Sequence, residues 1–548
     1  MKRLFLFLFL TVSFFPAFSS IPDTIRTATH ADSLRGFLSP LRTCFDVRFY
    51  HLDLKIDPAK QYVSGKNTIR FTAVAPMADM QLDLFSNMHV DSIIYDHKAL
   101  SYKRDGNAVF IHFPHNFKIN ENVSIDFWYS GSPVIAKNPP WDGGFTWSAD
   151  GAGNPWVDVS CQGTGASLWW PNKDHQSDEP DSMLISIHVP NGLKDISNGR
   201  LINTADDGDG YTRYDWLVRN PINNYDVTVN IGRYTGFSDH FGDLTLEYYV
   251  LPRDLKKARK QFKQVNDMLA CFTRYFGPYP FPEDGYKLVE STYLGMEHQS
   301  AVAYGNHFEN GYLGRDLSGT GNGLGWDYII VHESAHEWFG NNITTNDIAD
   351  SWVHEAFATY AESLFVECRY GYAKGQAYVN GMRKNIKNEE PCISPYGVNQ
   401  DPSQDIYYKG ANMLNTIRHV IGNDSTWFRI LKGMNQNFRH RTVDGSQIIR
   451  YISQESGKPL DSIFRQYLNY AAIPVLELKE VVGAKQVQFR WKTDVRVFAM
   501  PVTLYVGRKE TVVHPTSTGW TSLVLPAFIT PAQVRADTAS YYIKVETE

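Results

Sequence analysis

The apolar residues of this chain change period twice, and that change limits the fold more than any other property of the sequence. From about residue 45 to 250 the period is two. Tyr50, Leu52, Leu54 and Ile56 alternate with His51, Asp53, Lys55 and Asp57, and Val123, Ile125, Phe127 and Tyr129 recur at the same spacing. Met183, Ile185, Ile187 and Val189 follow it, as do Tyr225, Val227 and Val229. Such alternation puts one strand face on a core and the other in water. Asp57-Pro58, Asp207-Gly208 and Asn220-Pro221 supply turns between the runs. Near Asp254 the spacing becomes helical. Leu255, Ala258, Phe262, Val265, Leu269, Phe272 and Phe276 predict one helix that Asp254 can cap and Gly277 can end. Helical segments then dominate to about residue 470. After Ile473-Pro474 the period returns to two, with Val487, Phe489 and Trp491, then Val502, Leu504 and Val506. The pattern predicts a multidomain α+β protein: a β domain over 45–250, a mainly helical domain over 251–470 and a small β-sandwich over 474–548. The aromatic content of 14% suits large β-rich cores.

The first 20 residues stand apart. Lys2 and Arg3 precede the largely apolar run Leu4–Phe15, followed by Pro16 and Ala17-Phe18-Ser19-Ser20. A basic start, an apolar stretch and small residues make residues 1–20 a secretory signal peptide. The apolar run is too short to span a bilayer, which needs about 20 residues. The chain is therefore expected to be exported, periplasmic or secreted, with no membrane span after cleavage. The five cysteines, Cys44, Cys161, Cys271, Cys368 and Cys392, form no CxxC pair and are too few for a disulfide framework. They leave room for one disulfide, whose pairing the sequence does not fix. With 53 basic and 59 acidic residues the net charge is −6, so composition does not support nucleic-acid binding, and the basic helix face of Lys256, Lys257, Arg259, Lys260 and Lys263 reads as solvated.

One pentapeptide carries chemistry. His332-Glu333-Ser334-Ala335-His336 sets two imidazoles at i and i+4 on one helix face, about 6 Å apart at Cβ. They can converge on one cation, and Glu333 can take a proton from a metal-activated water, the HExxH arrangement of zinc hydrolases. Tyr328, Ile329, Ile330 and Val331 precede it, so the helix is buried. Two imidazoles and a carboxylate there would be costly unless a metal joined them. Gly340 is expected to end the helix. Catalytic zinc takes three protein ligands and keeps one position open. Glu355 lies one turn into the next helical pattern, whose apolar side is Trp352, Phe357, Tyr360, Leu364 and Phe365. It can return to the metal, or it can be a surface Glu of an amphipathic helix; spacing leaves both open.

In their flanks these residues resemble the M1 (gluzincin) zinc aminopeptidases. Glu355 follows His336 at the family's spacing. His336-Glu337-Trp338-Phe339-Gly340-Asn341 is similar to the family's HxWFGN, and Trp352-Val353-His354-Glu355-Ala356-Phe357-Ala358 to its WLNEGFA. The family's GxMEN appears as Leu294-Gly295-Met296-Glu297-His298, with the first Gly and final Asn replaced. Its YxKG appears as Tyr407-Tyr408-Lys409-Gly410. Cys161-Gln162, with Pro171 nine residues beyond the Gln, resembles the segment that sets a Gln near the substrate's amino end. The resemblance implies an N-terminal β-saddle, a thermolysin-like catalytic domain and a small β-sandwich, as in a bacterial secreted member without the helical domain that roofs larger members. It implies about one zinc per chain, held by His332, His336 and Glu355.

By the same resemblance, Glu333 is the general base and later the acid, and Tyr407 donates to the oxyanion beside the zinc. Glu297 binds the substrate's α-ammonium within the Gly295-Met296-Glu297 segment, and Gln162 accepts a second hydrogen bond from it. An anion at that end works as a ruler, so only the first peptide bond reaches the zinc. The expected activity is hydrolysis of the N-terminal residue from peptides with a free amino end, by a monomer. A zinc endopeptidase and the epoxide hydrolysis of one family branch are the alternatives. His298 is expected to hydrogen-bond the backbone in place of the family's Asn. Glu337, Asp347, Asp350 and Glu362 are candidates to brace the zinc histidines from behind. The Gly-rich stretch Gly319–Gly325 reads as a flexible loop, since it lacks the Lys of a phosphate loop. Trp141, Phe145, Trp147, Trp169 and Trp170 read as core or cleft lining.

Overall fold

The computed structural model describes residues 27–481 and 484–547. The expected signal peptide over 1–20 lies outside the described residues. The described chain opens with helix α1 (His30–Gly36), which Thr29 and Asp32 start with reciprocal side-chain to backbone hydrogen bonds.

An eight-stranded sheet follows. Phe45–Asp57 runs antiparallel to Tyr62–Ala73 and parallel to Ser182–Pro190. The register puts Tyr50, Leu52, Leu54, Ile69, Ile125 and Ile185 in one buried face, as their alternation predicts. A four-stranded sheet contains Gly144–Ala149 and Pro155–Ser160, and the second of these runs directly into the loop that carries Gln162. Phe145, Trp169 and Trp170 are buried, while Trp141 is 59% exposed.

The middle region is not purely helical. Thr235–Phe241, Leu244–Val250, Tyr286–Glu290, Val302–Tyr304 and Gly295–Met296 form one five-stranded mixed sheet. The first two strands end by residue 250, so this sheet crosses the domain boundary expected there. The expected helix over 254–277 is two helices, Leu255–Gln261 and α2 (Gln264–Phe276). The break lets Phe262 pack its ring against Tyr248 and Tyr304. Asp254 does not cap; its carboxylate takes Lys257 Nζ at 2.7 Å. Gly277 ends the second helix as expected, at φ +100°. Helices α3 (Tyr328–Ala335), α4 (Trp352–Tyr370) and α5 (Asp405–Ile421) complete the frame of the site. A disulfide between Cys271 and Cys368 ties α2 to α4.

At the C-terminal end, Val475–Glu480 pairs with Gln486–Lys492, and Val502–Val506 pairs with Lys509–Val513 in a separate sheet. The inward residues Phe489, Trp491, Val502 and Leu504 join the same apolar core as the helices, whereas the N-terminal strands have a core of their own.

Candidate metal centre and active site

Helix α3 starts where the Asp327 carboxylate accepts the backbone N–H of Ile329 and Ile330. All eight of its residues are buried. It ends at Ala335, ahead of Gly340. Glu337–Asn341 then form a wide turn in which Phe339 and Gly340 leave helical geometry, Gly340 at φ +133°. This early unwinding aims the Phe339 carbonyl back at His336.

The two imidazoles converge on Glu355 of α4. Glu355 Oε2 lies 3.6 Å from His332 Nε2 and 3.4 Å from His336 Nε2. The far nitrogens are occupied: His332 Nδ1 meets Glu362 Oε1 at 2.7 Å, and His336 Nδ1 meets Phe339 O at 3.0 Å. Both far partners are acceptors, so each neutral ring carries its hydrogen on Nδ1 and turns an Nε2 lone pair toward Glu355. Glu355 Oε2 is buried with no hydrogen-bond partner among the described residues. Three acceptor atoms facing one point need a cation between them, and this donor set fits a divalent metal. In the chain alone, protons answer the same demand. Burial lowers His336, but Glu355 outweighs it and raises the ring to about 9. Burial likewise raises Glu355, but His336 and His332 hold it well below the usual carboxylate range.

Of the four bracing candidates, Glu362 alone reaches a zinc histidine; its other oxygen accepts from Tyr378 OH at 2.8 Å. Glu337 points away, to Tyr279 OH at 2.9 Å and Ser300 N at 2.8 Å. Asp350 takes Gly445 N and Tyr396 OH, and Asp347 takes Ala349 N and Gly397 N. The Phe339 carbonyl, which holds the second histidine, had no side-chain signature to find.

The remaining residues gather on one side of this centre. Glu333 lines the cavity, and burial pushes its carboxyl up to about 7. Gly295 makes room for it: a Cβ there would sit 2.7 Å from Glu333 Oε1. Met296 and Glu297 are buried behind. Gln162 Nε2 donates to Glu297 Oε1 at 2.6 Å and to Glu355 Oε1 at 3.0 Å, so it bridges the acidic pocket and the metal site. Asn341 Nδ2 donates to the Glu297 carbonyl at 2.8 Å. Tyr407, near the start of α5, lies over His332 with ring centroids 6.0 Å apart. Burial and nearby carboxylates keep its hydroxyl protonated. The rest of that motif is structural. Lys409 donates to the carbonyls of Tyr470 and Ala471, and Gly410 lets α5 lie against Ala356.

His298 departs from expectation. Neither ring nitrogen has a partner among the described residues, and burial lowers its pKa to about 3, which keeps it neutral. Trp141, Leu294, Tyr312, Tyr328 and Tyr408 supply apolar walls, with Lys387 at the rim.

Residues 260–467 match the Peptidase family M1 domain. This chain carries a peptidase family M1 domain. The matched stretch contains His332, His336, Glu355, Glu297, Glu333 and Tyr407. Probable aminopeptidase 2 of Sulfurisphaera tokodaii is 23% identical over 350 residues, 60% of this chain and 44% of its own length. Leucyl aminopeptidase of Saccharolobus solfataricus is 21% identical over 404 residues, 70% of this chain and 51% of its own. The chain thus spans about half the length of these curated relatives. The crystal structure of an M1 zinc metallopeptidase from Deinococcus radiodurans shares the multidomain α+β fold. Its TM-score is 0.65 at 20% identity, with 78% of this chain and 94% of that chain covered.

Proposed function

We propose that this chain is a zinc-dependent aminopeptidase that removes the N-terminal residue from peptides. The observation that carries the reading is the seating of a buried acidic pocket, Glu297 bridged by Gln162, directly against a three-ligand cation site. A free α-ammonium fits the first, and the adjacent peptide bond then falls at the second.

Zinc held by His332, His336 and Glu355 supplies the Lewis acidity that polarises the scissile carbonyl and activates water. Glu333 takes the proton as the water oxygen bonds to the carbonyl carbon. It delivers that proton to the leaving nitrogen as the C–N bond breaks. Its pKa near 7 suits both halves of the exchange. Tyr407, held protonated, donates to the oxyanion. Gln162 spends its N–H donors on two carboxylates, which leaves Oε1 to accept from the ammonium beside Glu297.

The finer architecture proposed is a β-saddle, a thermolysin-like domain and a C-terminal sandwich. Export to the periplasm or beyond is supported by the N-terminal leader pattern and by the Cys271–Cys368 disulfide, a bond of oxidising compartments. Kinetics of Glu297→Ala test the exopeptidase reading. KM for free-amine peptides should rise and kcat fall, about a hundredfold together in kcat/KM, the scale of a lost charge-assisted anchor. Wild-type rates for this variant on both free and N-acetylated peptides would end it.

A further inference from the structure

The loop that presents Gln162 is held from outside. Cys161–Gly165 contains two glycines in left-handed geometry, Gly163 at φ +70° and Gly165 at φ +91°, and belongs to no strand. Arg35 of α1 donates Nη1 to the Thr164 carbonyl and Nη2 to the Gly163 carbonyl at 3.3 Å. Its Nε lies 3.2 Å from Asp174 Oδ2. Asn399 Nδ2 donates to the same Gly163 carbonyl at 3.1 Å. A Cβ on Gly165 would fall 1.8 Å from the guanidinium, so the loop and Arg35 are shaped to each other.

Helix α1 is fixed on both flanks. Leu34 O accepts from Gln81 Nε2 at 3.0 Å, and Gly36 O meets His175 Nε2 at 3.2 Å, on the side of the N-terminal sheets. On the other side Asn399 N donates to Asp32 O at 3.0 Å. Gly36 lies so close to Val398 that a Cβ would come within 2.3 Å of its backbone. The segment therefore ties the Gln162 loop to residues 397–399, which precede α5 and Tyr407.

We propose that Arg35 is a positioning residue for the substrate's amino terminus, and that the segment before the first strand is a working part of the active site. The proposal rests on the aminopeptidase reading. A loop with two left-handed glycines has many paths open to it. A guanidinium set on two successive carbonyls, itself pinned by Asp174, selects one of them with a rigid planar donor fork. That path delivers the Gln162 amide between Glu297 and Glu355. Without the fork the amide leaves, and the ammonium loses both an acceptor and the fixed position of Glu297.

The test compares wild type, Arg35→Gln and Arg35→Ala, each as the full mature chain with bound zinc measured. Wild type is first assayed on a free-amine dipeptide; no cleavage there would fail the aminopeptidase reading itself, apart from this proposal. Two inhibitors separate anchor from metal: L-leucine, which carries an α-ammonium, and acetohydroxamate, which binds the metal without one. Arg35→Gln should raise KM and the leucine Ki about tenfold, the scale of one lost charge-assisted hydrogen bond. Zinc content and the acetohydroxamate Ki should stay within about twofold. In a Gln162→Ala background the Arg35 change should add nothing further to the leucine Ki. An unchanged leucine Ki, equal weakening of both inhibitors, or additive effects in the double variant would each overturn the proposal. Arg35→Gln keeps the buried stem, so the comparison stands if Arg35→Ala does not fold.

Discussion

Glu333 and Glu355 are both buried within one cavity, yet their surroundings drive them apart. Burial lifts Glu333 to about 7, whereas the two imidazoles overcome the same burial at Glu355 and keep it ionised. One can exchange protons while the other only coordinates. Glu333→Gln should therefore cut kcat by about 10²–10⁴ with zinc content unchanged, measured on a chromogenic free-amine substrate. Tyr407→Phe should cost about 10²–10³ in kcat, with KM little moved. Glu362→Ala should weaken zinc binding by about 10–100-fold, read by competition with a chelator, because His332 loses the partner of its Nδ1. At this scale the sequence was most legible where helix spacing dictates geometry. His332 and His336 sit where i and i+4 put them, and Glu355 returns to meet them. Glu362 was one of four acids that spacing could not separate, since the choice depends on how α4 crosses α3. The Phe339 carbonyl was invisible because a main-chain acceptor leaves no mark on residue type.

Between α3 and the strand Gly295–Met296, a single turn connects His336 to the Glu297 pocket. Glu337–Asn341 supplies the Phe339 carbonyl to His336, the Glu337 carboxylate to Ser300 N, and the Asn341 amide to the Glu297 carbonyl. In the proposed reading it fixes the spacing on which single-residue removal depends. Asn341→Ala leaves the ligands in place but frees the Glu297 backbone. Some products should then be released as dipeptides, detected by mass spectrometry of a digest, while bound zinc stays at the wild-type level. The α2–α4 disulfide acts at the same scale. It closes a loop of sequence separation 97, and Cys271→Ser should lower unfolding free energy by about 2–5 kcal/mol in denaturant titration. The helical period announced α2 and α4, and Gly277 ended its helix as expected. The break at Phe262 was not legible, because it serves an aromatic cluster built from distant strands. Tyr286–Glu290 also escaped, since a strand buried on both faces shows no alternation.

Across the whole molecule, the N-terminal strands keep an apolar core distinct from that of the helices, Val289, Tyr293, Met296 and Ala303 beside the site join that N-terminal core, and polar contacts reinforce the seam. Asp158 of the N-terminal sheets accepts Thr292 N at 2.8 Å, and its other oxygen has no partner among the described residues. Burial raises its pKa to about 7. A carboxyl raised on folding binds a proton more tightly in the folded chain. Its contribution to stability is full below about pH 4 and is lost as pH rises through about 7. Relative to Asp158→Asn, the wild type should therefore lose Tm between about pH 4 and 7 and level off above, read by parallel thermal melts across that range. The two changes of hydrophobic period gave the order of β-rich, helical and β-rich regions. They missed the sheet that crosses residue 250, because alternation reports which face of a strand is buried and not which sheet it joins. The most direct test of the central claim is a mass-spectrometric time course on matched peptides, free and N-acetylated, with and without a zinc chelator. The account predicts stepwise loss of single residues from the free peptide alone, stopped by chelator and restored by added zinc. Internal cleavage of both peptides, or activity indifferent to the chelator, would contradict it.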